Sequence, residues 1–215
     1  MLAAEVLLCA AALSLYVLLA APANLREFRW YHGGFYACVV AFVVCANLLH
    51  GDRPRDSGIR RDNLGESAKL VAVATAIMAA VVVVTGLLAG GFHWRSWRRL
   101  VELSGLYLAW GIAQQYLLQS FGLRRLRQAQ VPAPLAAAAS AALFAMLHAP
   151  NWPLVAVTTA CGVVWCAIFL RRPNILVLGP AHGCLAVLLY HAWPESWLRG
   201  LTVGRIFLLR NPFPP

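Results

Sequence analysis

Seven stretches of mostly apolar residues follow one another along this chain, and their lengths constrain its fold more than any other feature. A helix crossing the hydrocarbon core of a bilayer takes about twenty mostly apolar residues. On that ruler the runs 2–21, 34–49, 68–90, 101–121, 134–148, 153–170 and 175–192 are candidate spans, the fifth being the shortest at 15 residues. An eighth patch, 201–209, is short and interrupted by Arg205, which suits an interfacial or half-buried helix end. Backbone polar groups inside a bilayer must pair within their own segment or in a closed barrel, and runs of this length pair as helices. The expectation is an all-α, polytopic transmembrane helix bundle of seven to eight helices, in a single integral membrane domain over residues 1–215.

Composition agrees, because 61% hydrophobic and 12% charged residues leave too little polar surface to cover a water-soluble globule. The net charge of +10 comes almost wholly from 17 arginines. In a soluble chain that charge would suggest nucleic acid. Here the arginines fall between the apolar runs and read as topology determinants and lipid-headgroup contacts, so membrane lipids are the expected partners and nucleic acid is not. The N-terminus and the segments after spans two, four and six hold 10 Lys and Arg, against 8 on the other side. That leans towards a cytoplasmic N-terminus in a multi-pass protein of the bacterial inner (plasma) membrane. The first run, with Glu5 and no basic residue at its start, reads as a retained helix rather than a signal sequence. The polar stretch 50–67 reads as a solvent loop. All six cysteines lie in apolar runs without a CxxC pair and read as small buried hydrophobes.

Polar side chains at membrane depth are costly and point to function or to helix contacts. They cluster in three places: Gln114, Gln115 and Gln119 in the fourth span, His148 at the end of the fifth, and His182 in the seventh. At 100° per residue Gln115 and Gln119 share a helix face, and Gln114 points about 100° away. One reading is a polar clasp in which these five side chains satisfy one another across three helices. The other starts from His148 and His182, the groups there able to exchange a proton near neutral pH. Each lies beside a proline that breaks the helix, and together they are placed to activate water, bind an oxyanion or supply two ligands to a divalent metal such as zinc. Whether the site uses a metal or none stays open at this point.

The pattern Gln114-Gln115-x-x-x-Gln119, then Phe144-x-x-x-His148 with Asn151-Trp152 after it, then His182-x-x-x-Ala186 resembles the CPBP family of intramembrane proteases. That family includes the type II CAAX prenyl endopeptidases and the Abi proteins. The family shows Glu-Glu-x-x-x-Arg, Phe-x-x-x-His and His-x-x-x-Asn in this order, and the resemblance covers a core of about 101–192. It implies an intramembrane endopeptidase acting on a membrane-associated or lipidated peptide. His148, His182, Gln114 and Gln115 would stand at the catalytic positions.

Both glutamates, the arginine and the asparagine of the family pattern are replaced here, by Gln114, Gln115, Gln119 and Ala186. A glutamine amide is no general base at neutral pH. Glu102, the one acid on that span, lies about 18 Å from Gln114 along the helix axis. Three functions therefore compete: a peptidase with reduced or lost activity, a catalytically inactive relative that binds a lipid, isoprenoid or partner helix, and a small transporter with a His and Gln path.

Overall fold

The computed structural model describes residues 2–21, 29–92 and 97–209, with the side chains of Arg29 and Arg99 set aside. Every regular element among them is helical. Helix α1 (Leu2–Leu15) runs on into a π-helical turn, Tyr16–Ala20, and is followed by α2 (Arg29–Leu49) and α3 (Leu64–Leu88). Helix α4 (Trp97–Gln115) passes through a second π-helical stretch, Tyr116–Leu123, into the short α5 (Arg124–Gln128). Then come α6 (Ala133–Met146), α7 (Trp152–Arg171) and α8 (Ile175–Ala192), and a C-terminal strap containing α9 (Glu195–Leu198), a 3₁₀ turn and α10 (Gly204–Leu209).

Among the described residues, five helices are long and apolar enough to cross a membrane: Leu2–Ala20, Trp30–Leu49, Leu64–Leu88, Trp152–Arg171 and Ile175–Ala192. The chain is an integral membrane protein. Helix α6 is apolar but only 14 residues long. Helix α4 carries Arg98 and Glu102, paired at 2.9 Å, in its first turns. The patch 201–209 forms the short α10, which packs against the π turn of α1.

The connections collect at two ends, which fixes the alternation of the spans. At one end lie the start of α1, the α2–α3 loop, α5 and the α7–α8 turn. Arg125 organises it, and its side chain is fully buried. It donates to Asp52 (2.9 Å), to the Ala46 carbonyl (2.9 Å), to Asn47 (2.9 Å) and to Gln128 (2.5 Å), with Glu5 of α1 at 3.4 Å. Arg124 takes the other Asp52 oxygen at 2.5 Å.

Arg125 is therefore not a headgroup contact, as expected for the inter-span arginines, but a structural cation held inside the protein by its Nη1 and Nη2 groups. Nor is 50–67 a solvent loop throughout. Ser120 donates to the Ser57 carbonyl (2.5 Å), Ile175 N to the Gly58 carbonyl (3.0 Å) and Asn174 to Asn63 (2.8 Å), which staples the loop to the bundle. At the other end, the C-termini of α3 and α8, the α6–α7 turn and the strap meet.

Glycine sets the closest helix pair, α4 with α8. A Cβ on Gly179 would stand 2.6 Å from Ile112 Cα and one on Gly183 2.5 Å from the Tyr107 carbonyl, while Gly111 meets the Gly179 carbonyl. The Gly179-x-x-x-Gly183 spacing on α8 is the small-residue pattern that lets membrane helices touch backbone to backbone. Pro180 lies inside this helix without interrupting it, contrary to the expected break beside His182.

Removing one partner of a buried ion pair leaves an uncompensated charge, so Arg125→Ala is expected to cost about 3–5 kcal/mol, read from unfolding in detergent. Burial alone pushes the Asp52 carboxyl up, but the hydrogen bond and charge of Arg124, with Gln128 and Arg125, outweigh it and hold the group below its ordinary 3.8. A carboxyl whose pKa is depressed by folding stabilises fully above its unfolded value and loses that contribution as the pH falls through the folded one. Stability is thus expected to drop below pH 3.8, with the drop blunted in Asp52→Asn.

Candidate functional site

The α4–α8 contact brings the glutamines of α4 against His182. Gln115 is fully buried, and its Nε2 donates to His182 Nδ1 at 2.8 Å. Gln119, also fully buried and one turn on, donates from Nε2 to Gln115 Oε1 at 3.1 Å. The shared face expected for these two is what the structure places there. Cys166 of α7 lies beside Gln119. Three side chains therefore form a directed row, Gln119 to Gln115 to His182, entirely of neutral groups. Gln114, pointing elsewhere, lines a cavity and has no hydrogen bond to a described residue. The clasp is thus real but partial, since it leaves out Gln114 and His148.

His148 stands on the turn just after α6, beyond Met146. Its Nδ1 lies 3.1 Å from the Phe144 carbonyl oxygen. A carbonyl only accepts, so Nδ1 carries the proton and Nε2 keeps a lone pair. His182 is the opposite case: its Nδ1 accepts from Gln115, so its proton sits on Nε2. The Phe144 ring lies edge-on to both imidazoles, with centroids at 5.1 Å from His148 and 6.0 Å from His182. One histidine is set as a base and the other as a donor by two different backbone and amide partners.

Both histidines and Gln114 line one cavity of about 1000 Å³. Its walls are mostly apolar, and Ala186 contributes a small side chain to them. Helices α1 and α2 also contribute, through Val17, His32 and Tyr36, and this was not legible in their sequences. The Tyr16 ring stacks on Phe35 at 3.6 Å and its hydroxyl pairs with His32 Nδ1 at 2.8 Å, so His32 is held at the cavity wall rather than merely at a membrane interface. One acid, Glu195, lies on the lining as well. It follows α8, whose axis runs about 15 Å from His182 to its end at Ala192, so it sits far from the imidazoles.

The donor set does not fit a catalytic zinc, which takes three protein ligands. His182 keeps its proton on Nε2, so of the two rings only His148 offers an Nε2 lone pair, and among the described residues no group of three His, Cys, Asp or Glu side chains converges.

Residues 100–188 match the family described as Type II CAAX prenyl endopeptidase Rce1-like. Over that stretch the chain is similar to this family. The Rce1-like segment spans α4 to most of α8, including both histidines and all three glutamines, and leaves α1 to α3 and the strap outside it. No curated protein and no solved structure matches the chain.

Gln115→Leu removes the donor to His182 and the acceptor of Gln119. Orphaning buried polar groups costs about 1–3 kcal/mol each, so thermal unfolding in detergent is expected to show a clear loss. Gln114→Leu, on the cavity wall, is expected to change stability by less than about 0.5 kcal/mol.

Proposed function

We propose that the cavity is the active centre of an intramembrane peptidase of the Rce1-like type, acting on a membrane-associated or lipidated peptide. The observation that carries this reading is the pair of opposite tautomers, an acceptor at His148 and a donor at His182, on one cavity. His148 Nε2 takes a proton from water as the oxygen attacks the acyl carbon. His182 Nε2–H donates to the oxyanion that forms, and Gln115 holds it in that tautomer. The C–N bond then breaks as His148 returns the proton to the leaving amine. Gln114, facing the cavity where the family pattern has its first glutamate, orients the water or the substrate carbonyl. No step runs through a metal.

A histidine without a carboxylate partner is a weaker base than the glutamate and histidine pair the family motif supplies, so turnover is slow. A second reading, a binding protein for a lipid or isoprenoid, is supported by the mostly apolar walls and the size of the cavity. We place the protein in the bacterial inner membrane with its N-terminus cytoplasmic, on the arginine distribution.

In liposomes carrying a farnesylated peptide, His148→Ala is expected to lower cleavage by about 10²–10⁴ and His182→Ala by about 10²–10³. Gln114→Glu combined with Gln115→Glu is expected to raise it. Cleavage absent from the native chain and gained only in the double variant would make the native protein a holder of its ligand and sink the peptidase reading.

A further inference from the structure

The two ends of the bundle are built in different ways. At the Arg125 end, ion pairs and stapled loop residues join α1, α2, α5 and α8. At the other end the cavity is walled by the strap, which contributes Leu201, Thr202, Val203 and Ile206 to its lining and lies beyond the Rce1-like segment.

The strap's backbone is unusual. Arg199, Gly200, Leu201 and Gly204 all have positive φ, at 45°, 67°, 60° and 56°. Two of these are non-glycine residues in the left-handed region, which side chains disfavour and which persists only where surroundings impose it.

Few bonds impose it here. Asn151, fully buried in the turn that carries His148, donates from Nδ2 to the Leu198 carbonyl (2.9 Å) and the Thr202 carbonyl (3.1 Å). Gly204 N donates to the Ala149 carbonyl at 2.7 Å. Gly204 also presses on the π turn of α1, where any Cβ would collide with the Val17 carbonyl. All three hydrogen bonds join the strap to residues immediately after His148. The charged side chains Glu195, Arg199 and Arg205 place the strap where the bundle meets water.

We propose that residues 195–209 are a latched gate over the water-facing mouth of the cavity, with Asn151 and Gly204 as the latch, and that the polar part of a ligand enters beneath it. Among the described residues, the apolar helix walls and the stapled end offer such a group less polar surface than the strap does. Because the latch is anchored next to His148, opening the gate and releasing the histidine turn are one event. The inference goes beyond the proposed hydrolysis and applies equally to a cavity that only binds.

The chain supplies its own reporters. Cys161 is a free thiol on the cavity wall, and Cys166, one helix turn on, is fully buried and off the lining. Chains retaining Cys161 alone or Cys166 alone are reconstituted in nanodiscs and treated with a charged, water-soluble methanethiosulfonate. In the latched protein Cys161 is expected to react slowly. Loss of two buried hydrogen bonds in Asn151→Ala, or of the glycine contact in Gly204→Ala, is expected to speed its labelling about ten-fold while Cys166 stays protected. A Cys161 rate unchanged in both variants makes the strap a fixed wall and overturns the proposal. A rate that rises only together with that of Cys166 reports loss of the fold and overturns it too. The readout is labelling, so it stands whether or not the chain cleaves any peptide.

Discussion

One guanidinium holds this bundle in register. Arg125 is charged, fully enclosed, and bonded to groups from α2, the loop after it and α5, with Glu5 of α1 beside it. A buried cation is tolerated only when its partners are all present, so each of those segments is committed to a single position by the same ion. The commitment reaches the cavity, because Asn47, which accepts from Arg125, donates to the Tyr116 hydroxyl at 2.9 Å. Tyr116 follows Gln115 directly, at the start of the π-helical stretch that carries Gln119.

From there the site is built by close approach rather than by charge. Three glycines let α4 and α8 touch, and the contact is what brings a glutamine amide within hydrogen-bond reach of His182. The neutral row that results has a chemical cost and a structural gain. It forgoes the stronger base of a carboxylate pair, and it avoids placing unpaired charge at membrane depth.

The helical class and five of the seven expected spans were legible because hydropathy is a local signal; the runs 101–121 and 134–148 fold as helices but fall outside that set. What escaped the sequence depended on partners far along the chain. Arg125 reads as one more inter-span arginine until Asp52, 73 residues away, is seen beside it. Pro180 reads as a helix break, yet the helix runs through it in a tightly packed setting. The contribution of α1 and α2 to the cavity came from aliphatic side chains such as Leu13 and Val17 and from His32 and Tyr36, which read in sequence as ordinary span residues. The Gly179-x-x-x-Gly183 spacing was there to be read and marks the backbone-to-backbone contact of α4 with α8.

The neutrality of the histidine cavity also decides how the protein meets the electric field of its membrane. An ionised carboxylate or a charge displaced along the bilayer normal couples to the transmembrane potential in proportion to the distance moved. Here the row beneath His182 is made of amides, and the charged groups described above sit at the Arg125 end, in the first turns of α4 and on the strap. A proton exchanged between His148 and a bound group crosses little of that field. The proposed opening of the strap, which carries Glu195, Arg199 and Arg205, would displace charge and so couple to the membrane potential more strongly than a proton exchanged at His148.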